Sequence, residues 1–444
     1  MRVWRWTRRW RLATSRRRQC PTSRSSTRPR GAGLTSDADA IRFLNDPGSI
    51  RERAGLLFDR LARGDSEHFE YHPDKLPAVG RLVAQVTRDN YPDLKIPYHA
   101  RENHFLVGGR DRLSGLFDAA ELSPEERARR EFDLTVTSVL LDAGAGPEWS
   151  YLEPDFGDAE GGERYARSEG LAIASLHWFA SGAFSLNPDA PQRADARALQ
   201  NLTEAQLTEG FQVGPENPLV GVGGRLGLLH ALGRAVEAHP ELFPEGRVGG
   251  LFDVLRAQAE DGKLPAERIL AAVLAGLSSI WPGRESIGEV TLGDVWRHPA
   301  LEHIHPANGL IPFHKLSQWL SYSLVVPLER AGVQVVALER LTGLPEYRNG
   351  GLFIDGGVLS LRDPAALKEA HAPGSELIIE WRAATIVLLD QVAQLVREEL
   401  GVTPEQLPLP CVLEGGTWAA GRRLAQNLRQ GLPPLNLASD GTVF

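Results

Sequence analysis

Residues 375–400 read SELIIEWRAATIVLLDQVAQLVREEL. Apolar residues recur at three- and four-residue spacing through the whole stretch, and a serine, an acidic first turn and a following Gly401 punctuate it. This pattern predicts one long, largely buried helix. The same periodicity continues outward. SDADAIRFL (36–44), SIRERAGLLFDRLARG (49–64) and LPAVGRLVAQVTRDNYP (76–92) read as amphipathic helices. SPEERARREFDLTVTSVLLDAGA (123–145) carries an SPEE start and a glycine stop. RSEGLAIASLHWFASGAFS (167–185) reads as a helix with Ser168 as its N-cap. Residues 218–237 read as a Gly-rich turn running into a helix, and helices are also expected over 248–281 and over 310–340. GGLFIDGGVLSLRD (350–363) alternates around glycines and reads as a short hairpin. With no βαβ alternation, solenoid period or heptad register, the expected fold is mostly α, a compact multi-helix body with one or two small β-hairpins.

Composition bounds the function. Apolar residues make up 42% and charged residues 24% of 444, which is enough apolar chain for a sizeable core. Residues 1–34 hold eleven arginines and no acid, so the remainder carries 38 basic against 57 acidic residues, a net −19. A body this acidic lacks the cationic surface that nucleic-acid binding requires. No apolar run reaches the length of a membrane helix. Cys20 and Cys411 are the two cysteines, one of them in the basic tail, which suits a reducing, cytoplasmic setting. The tail has three readings: an organellar transit peptide, a basic arm, or a start assigned upstream of the true one. The domain expectation is a disordered tail over 1–35, a single helical catalytic domain over 36–430 and a polar tail over 431–444.

Chemistry concentrates in GLIPFHKLSQWLSYSLVVPLERAGVQVVALERLTGLPEYRNGG (309–351). Lys315 is one of five lysines among forty-four arginines and follows His314 in an apolar segment. Glu346 lies thirty-one positions on, in a Gly/Pro-rich turn and followed by Tyr347 and Arg348. A cation and a carboxylate at two helix ends can form the wall of a small-molecule pocket. The segment YPDLKIPYHARENHFLVGGRDRL (91–113) packs His99, Arg101, His104 and Arg110 into an irregular loop, where function resides more often than in helices. Asp133 and Asp142 interrupt an apolar helix face and are candidate partners for those cations. VGVGGRLGLL (220–229) resembles a phosphate loop but lacks its lysine; it can still aim N–H groups at an anion, with Arg225 alongside. His303 and His305 form an H-x-H without matching ligands, so no metal and no cofactor is expected.

Taken together, IPYHARENHFLVGGRDR (96–112), FDLTVTSVLLDAGAGPEWSY (132–151), RSEGLAIASLHWFASGAFS (167–185), VGGRLGLLHALG (222–233), GGLFDVL (249–255), DVWRHPAL (294–301), GLIPFHKLSQWLSYSLVVPLERAG (309–332), LTGLPEYRNGGLFID (341–355) and ELIIEWRAATI (376–386) resemble the uracil-catabolism protein family of fungi and bacteria, related to fission yeast's uracil-regulated protein. The likeness runs from about residue 40 to 425. It implies a part in breaking uracil down through a ring-opened ribosyl intermediate to urea.

A fainter resemblance supplies a reaction. PFHKLSQWL, LTGLPEYR and ELIIEWRAATI look like the last third of the queuosine-salvage nucleotide N-glycosylases, helical proteins distantly similar to DNA glycosylases. The resemblance places Lys315 on that family's lysine, Glu346 on its catalytic aspartate, Tyr347 and Arg348 on its Tyr-Arg, and Glu380 and Arg382 on a Glu-x-Arg. Glu346 departs from the family's aspartate by one methylene, and Asn349-Gly350 replaces a bulkier Val-Pro. The implied enzyme is an N-ribosyl hydrolase of a nucleoside or nucleotide. Glu346 and Lys315 would be catalytic; His314, Tyr347, Arg348, His99, Arg101, His104, Arg110 and Asp133 would bind substrate. Residues alone read Glu380 and Arg382 as a buried ion pair, and Trp319 and Trp381 as core. Two other functions stay open: an amidohydrolase or deaminase of the opened ring, and a non-catalytic partner of other pathway enzymes.

Overall fold

The computed structural model describes residues 36–118, 121–154, 162–281 and 284–438. The basic tail and the last six residues lie outside them. The long helix forms as expected over Glu376–Leu400, and Gly401, at φ 71°, ends it in the left-handed conformation with its N–H bonded to the Arg397 carbonyl. Fourteen of its residues are buried, including Trp381 and Arg382. Helices Pro47–Arg63 and Leu76–Asn90 pack along it, and the short helix Tyr347–Asp355 crosses its N-terminal half. Helix Pro124–Leu140, capped by Ser123, packs on helix Lys315–Arg330. One continuous apolar core joins all of these, and a small satellite around Leu44, Leu292 and Val295 sits beneath the first helix. The chain from Ser36 to Phe444 is one compact unit. Among the described residues, no helix is long and apolar enough to cross a membrane.

The body is mostly α, and among the described residues the strands pair only as two-stranded ladders. Several elements depart from the sequence reading. The hairpin expected over 350–363 is a helix through Asp355 followed by strand Leu359–Leu361, whose partner is the distant Phe69–Tyr71. Glycine spacing mimicked a period of two there, while Leu352 and Phe353 in fact turn into the core. The helix expected over 310–340 runs only over Lys315–Arg330, with strands Leu310–Pro312 and Gln334–Val336 on either side. The 248–281 region is interrupted by strand Lys263–Pro265, which pairs in parallel with Gln334–Val336. Ser168 lies inside its helix, whose N-cap is Ala166. Residues 431–438, expected as a polar tail, are packed: Leu435 is buried and Asn436–Leu437 pair with Ala370–His371.

Candidate functional site

Two helix N-termini build the site. The first begins at Lys315. His314 adopts φ 46° there, turning the chain from strand into helix, and its Nε2 bonds the Leu44 carbonyl at 3.0 Å. Burial pushes the His314 imidazole down toward its neutral form. The His314 ring is thus tied to the first helix. Asp294 caps this helix end by accepting from the Lys315 N–H at 3.0 Å. Arg382 grips the same carboxylate through two bonds of 2.9 and 2.7 Å. Burial alone would raise the Asp294 carboxyl, but the Arg382 guanidinium holds it well below the usual range.

The second N-terminus begins at Glu346. Residues 341–346 run beside the Lys315 helix and are clamped to it by Gln318 and Tyr322, which bond Thr342. Glu346 then caps helix Tyr347–Asp355, its two carboxylate oxygens accepting from the Arg348 N–H at 2.7 Å and the Asn349 N–H at 2.6 Å. Short side chains usually fill this position; here a glutamate does, and it is 7% exposed. Burial pushes its carboxyl above the ordinary glutamate value, and Lys315 is the strongest opposing influence, ahead of the two N–H bonds and His99. Burial pushes the Lys315 ammonium down, and Glu346 is in turn its strongest counterweight. Each of the two charges is thus the main influence opposing the effect of burial on the other.

Trp319, one turn into the Lys315 helix, is the hub that gathers the rest. Its ring lies 5.9 Å from Lys315 Nζ, 5.7 Å from the Arg101 guanidinium, 5.9 Å from the His104 ring and 6.4 Å from the His99 ring. Trp319 is buried in the core, as expected, and the 96–112 loop meets the helix against it. Arg101 is fully buried, bonded to Ser138 at 2.7 Å and paired with Asp142 at 3.2 Å. His104 Nδ1 lies 3.3 Å from Arg101 Nη1. Burial, reinforced by the Arg101 charge, pushes His104 down. Tyr347 is half-buried beneath the Arg348 guanidinium, 4.9 Å from its ring centre.

Hydrogen-bonding capacity is left unspent around this cluster. Among the described residues, Arg348 Nε and Nη1, Arg101 Nη2, Trp319 Nε1, Asp142 Oδ1 and Asn349 Oδ1 are buried without a partner. Buried polar atoms are rarely left this way, because each costs about 1–3 kcal/mol. Most are donors, so the site suits an oxygen-rich or anionic small molecule.

Other expected site residues go elsewhere. Asp133 is wholly buried and bonds Arg247 at 2.7 Å and the Gly249 N–H at 2.6 Å. Burial pushes its carboxyl up to about 6. Arg110 is partly exposed and lies against Glu153 and Glu163, in a separate cluster with Arg112 and His177. Arg225 gives its guanidinium to the carbonyls of Leu141, Ala143, Gly144 and Val220, so it is spent on the chain and not on an anion. Glu380 pairs with His298 and bonds Ser66, while Arg382 holds Asp294. Asp294 and Glu414, the latter bonded to His99 at 2.7 Å, escaped the sequence reading. The one signal for Glu414 is the Gly415-Gly416 pair beside it.

Comparison with known proteins places this arrangement. Residues 43–444 match a family profile described as "Protein of unknown function (DUF1688)". The chain belongs to the DUF1688 family. A relative, "Protein urg3" of Schizosaccharomyces pombe, is 41% identical over 410 residues, covering 89% of this chain and 96% of that protein. "Uracil catabolism protein 4" of Lachancea kluyveri is 38% identical over 443 residues, covering 91% and 99%. For this DUF1688 protein the match takes in both helix N-termini, the 96–112 loop and Glu414.

Proposed function

We propose that this DUF1688 protein acts in uracil catabolism as an N-ribosyl hydrolase of a uracil-derived or ring-opened, ribosylurea-type nucleoside or nucleotide. The relatives' names supply the pathway. The observation that carries the chemistry is Glu346: a buried carboxylate, fixed by two backbone N–H bonds at a helix start and favoured in its ionised form by the Lys315 charge.

Cleaving a ribosyl C1′–N bond builds positive charge on the sugar ring. A carboxylate beneath the ring stabilises that charge and can draw a proton from the attacking water. The Glu346 oxygens keep free lone pairs for this while the helix cap holds the side chain still. Lys315 restrains protonation of Glu346 and can contact a sugar or phosphate oxygen. The unspent N–H bonds of Arg348 and Arg101 suit a 5′-phosphate or the ureido carbonyl. Trp319 and Tyr347 offer planar faces to a base or ureido group.

The test is direct. Purified protein is incubated with uridine, UMP, ribosylurea and ribosylurea 5′-phosphate, and reducing sugar is followed. Turnover of at least one, lost in Glu346→Gln, is expected. No turnover of any of them would remove the proposal.

A further inference from the structure

His99 and Glu414 meet across 315 positions of sequence, with Nδ1 2.7 Å from Oε2. Glu414 stands on a π-turn, Leu413–Thr417, a widened turn that recurs at functional sites. Two glycines press that turn inward. A Cβ on Gly415 would come within 2.9 Å of Ile96, and one on Gly416 within 2.5 Å of the Thr87 hydroxyl. The His99 backbone is held by the same segment, its N–H donating to the Pro410 carbonyl at 3.1 Å. Both backbone and ring of His99 are therefore aimed by residues 410–414.

The ring is aimed at the site. It lies 6.4 Å from the Trp319 ring, and its charge favours the ionised form of Glu346. Nδ1 is occupied by Glu414, and Nε2 has no protein partner among the described residues. Glu414 is mostly buried, which would raise its carboxyl; the His99 bond and the charges of His99 and His104 hold it low. A carboxylate on Nδ1 fixes the tautomer and stabilises the imidazolium. His104 has no such support. Its Nδ1 faces the Arg101 guanidinium, so it accepts there and stays neutral.

We propose that His99 is the general acid of the hydrolysis and Glu414 its positioning residue. This rests on the N-ribosyl hydrolase reading above. His99 Nε2 gives its proton to the departing nitrogen as C1′–N breaks, and the bonding pair stays on that nitrogen. Water adds to C1′ and its proton passes to Glu346. Urea or base leaves neutral, the sugar leaves as a free hemiacetal, and the proton returns from Glu346 to His99 through solvent.

The test compares leaving groups. Wild type, His99→Gln, Glu414→Gln, Glu414→Asp and Glu346→Gln are assayed on the ureido or uracil riboside and on 4-nitrophenyl riboside, each in whichever phosphorylation state wild type accepts. Nitrophenolate departs without a proton. His99→Gln is expected to lose roughly 10²–10³-fold on the natural leaving group but only about threefold on the aryl riboside, which also shows that it is folded. Glu346→Gln loses both. Glu414→Gln moves the basic limb of kcat/KM to lower pH, because the imidazolium has lost its carboxylate, and Glu414→Asp restores part of it. The other charged or titratable groups around His99 and Glu414 are Arg101 and His104 on the short helix Arg101–Phe105, Tyr91, Lys315 and Glu346, and none of them is altered in His99→Gln, Glu414→Gln or Glu414→Asp. Equal losses on both substrates, no loss on either, or an unmoved basic limb would overturn the assignment of His99. Failure of wild type on every riboside would instead sink the hydrolase reading itself.

Discussion

Gln318 and Thr342 exchange two hydrogen bonds across 24 positions: Gln318 Nε2 donates to Thr342 Oγ1 at 2.9 Å, and the Thr342 N–H donates to Gln318 Oε1 at 3.2 Å. Both residues are wholly buried. The exchange ties the strand-like segment leading to Glu346 onto the first turn of the helix that starts at Lys315. The carboxylate and the ammonium are thus placed by one rigid joint and not by two independent loops. Gln318→Leu leaves the Thr342 N–H and hydroxyl buried with fewer partners. Stability should fall by about 1–3 kcal/mol, read from urea unfolding. The fall in kcat should exceed that in 1/KM, because the joint sets the geometry of reacting groups.

The pH dependence follows from the Glu346 environment. Burial raises its carboxyl above the ordinary 4.5, and Lys315 opposes that rise. If activity needs the ionised form, it is lost as pH falls through the raised value, so the acidic limb of kcat/KM should sit above 4.5. Removing the ammonium in Lys315→Met removes the opposing charge. Its residual activity should show an acidic limb at still higher pH, and an unmoved limb would mean that the two groups are uncoupled.

Asp294 is expected to matter for stability before chemistry. Asp294→Asn removes the carboxylate that the Arg382 guanidinium, 1% exposed, holds through two bonds. Breaking one partner of a buried pair costs about 3–5 kcal/mol. The sign in pH is fixed by the depressed Asp294 carboxyl. Its stabilisation is complete above the unfolded value near 3.8 and is lost only as pH falls further, toward the folded value. Wild type and Asp294→Asn should therefore differ by a constant amount at neutral pH and converge in acid.

What could be read from the sequence was what local pattern encodes. Helices Pro124–Leu140 and Glu376–Leu400 carry their own caps and periodicity, and both form where expected. The helix after Glu346 was missed because its cap is a glutamate, which does not mark a helix start as serine or aspartate does. Lys315, Glu346, His99, Arg101 and His104 were legible because unusual polar residues stood in apolar or irregular stretches. Asp294 and Glu414 were not, since their partners Arg382 and His99 lie 88 and 315 positions away and the only local mark on either acid is the Gly415-Gly416 pair after Glu414. Asp133 misled for the opposite reason: an acid on an apolar helix face looks functional whether it meets a substrate or a buried arginine.

Asn349-Gly350 can be read as pocket shape or as packing. The structure favours packing at Gly350, where a Cβ would lie 2.6 Å from the Trp381 indole, while Trp381 Nε1 bonds the Gly350 carbonyl at 3.0 Å. Neither the helix backbone nor a fully buried indole can yield that much. Gly350→Ala should cost about 1–3 kcal/mol of overpacking, against less than about 1 kcal/mol returned by alanine's better helix propensity. Thermal unfolding of the variant would decide: a raised midpoint would mean that the space beside Gly350 is open.

Glu346→Asp separates the cap from the chemistry. Aspartate is among the best N-cap residues, so the shorter side chain should keep bonds to the Arg348 and Asn349 N–H groups, and stability should change by about 0.5 kcal/mol or less. The carboxylate, however, withdraws by one methylene from whatever lies in front of it. A group that must sit beneath a sugar ring loses effect steeply with such a displacement, roughly 10²-fold for about 1 Å. The expected result is a folded, normally stable protein with kcat reduced about 10²-fold, in which the aspartate of the glycosylases that this sequence resembles fails on this backbone. Full activity in Glu346→Asp would show that carboxylate reach is unimportant. A large loss of stability would show that Glu346 is chiefly a structural cap.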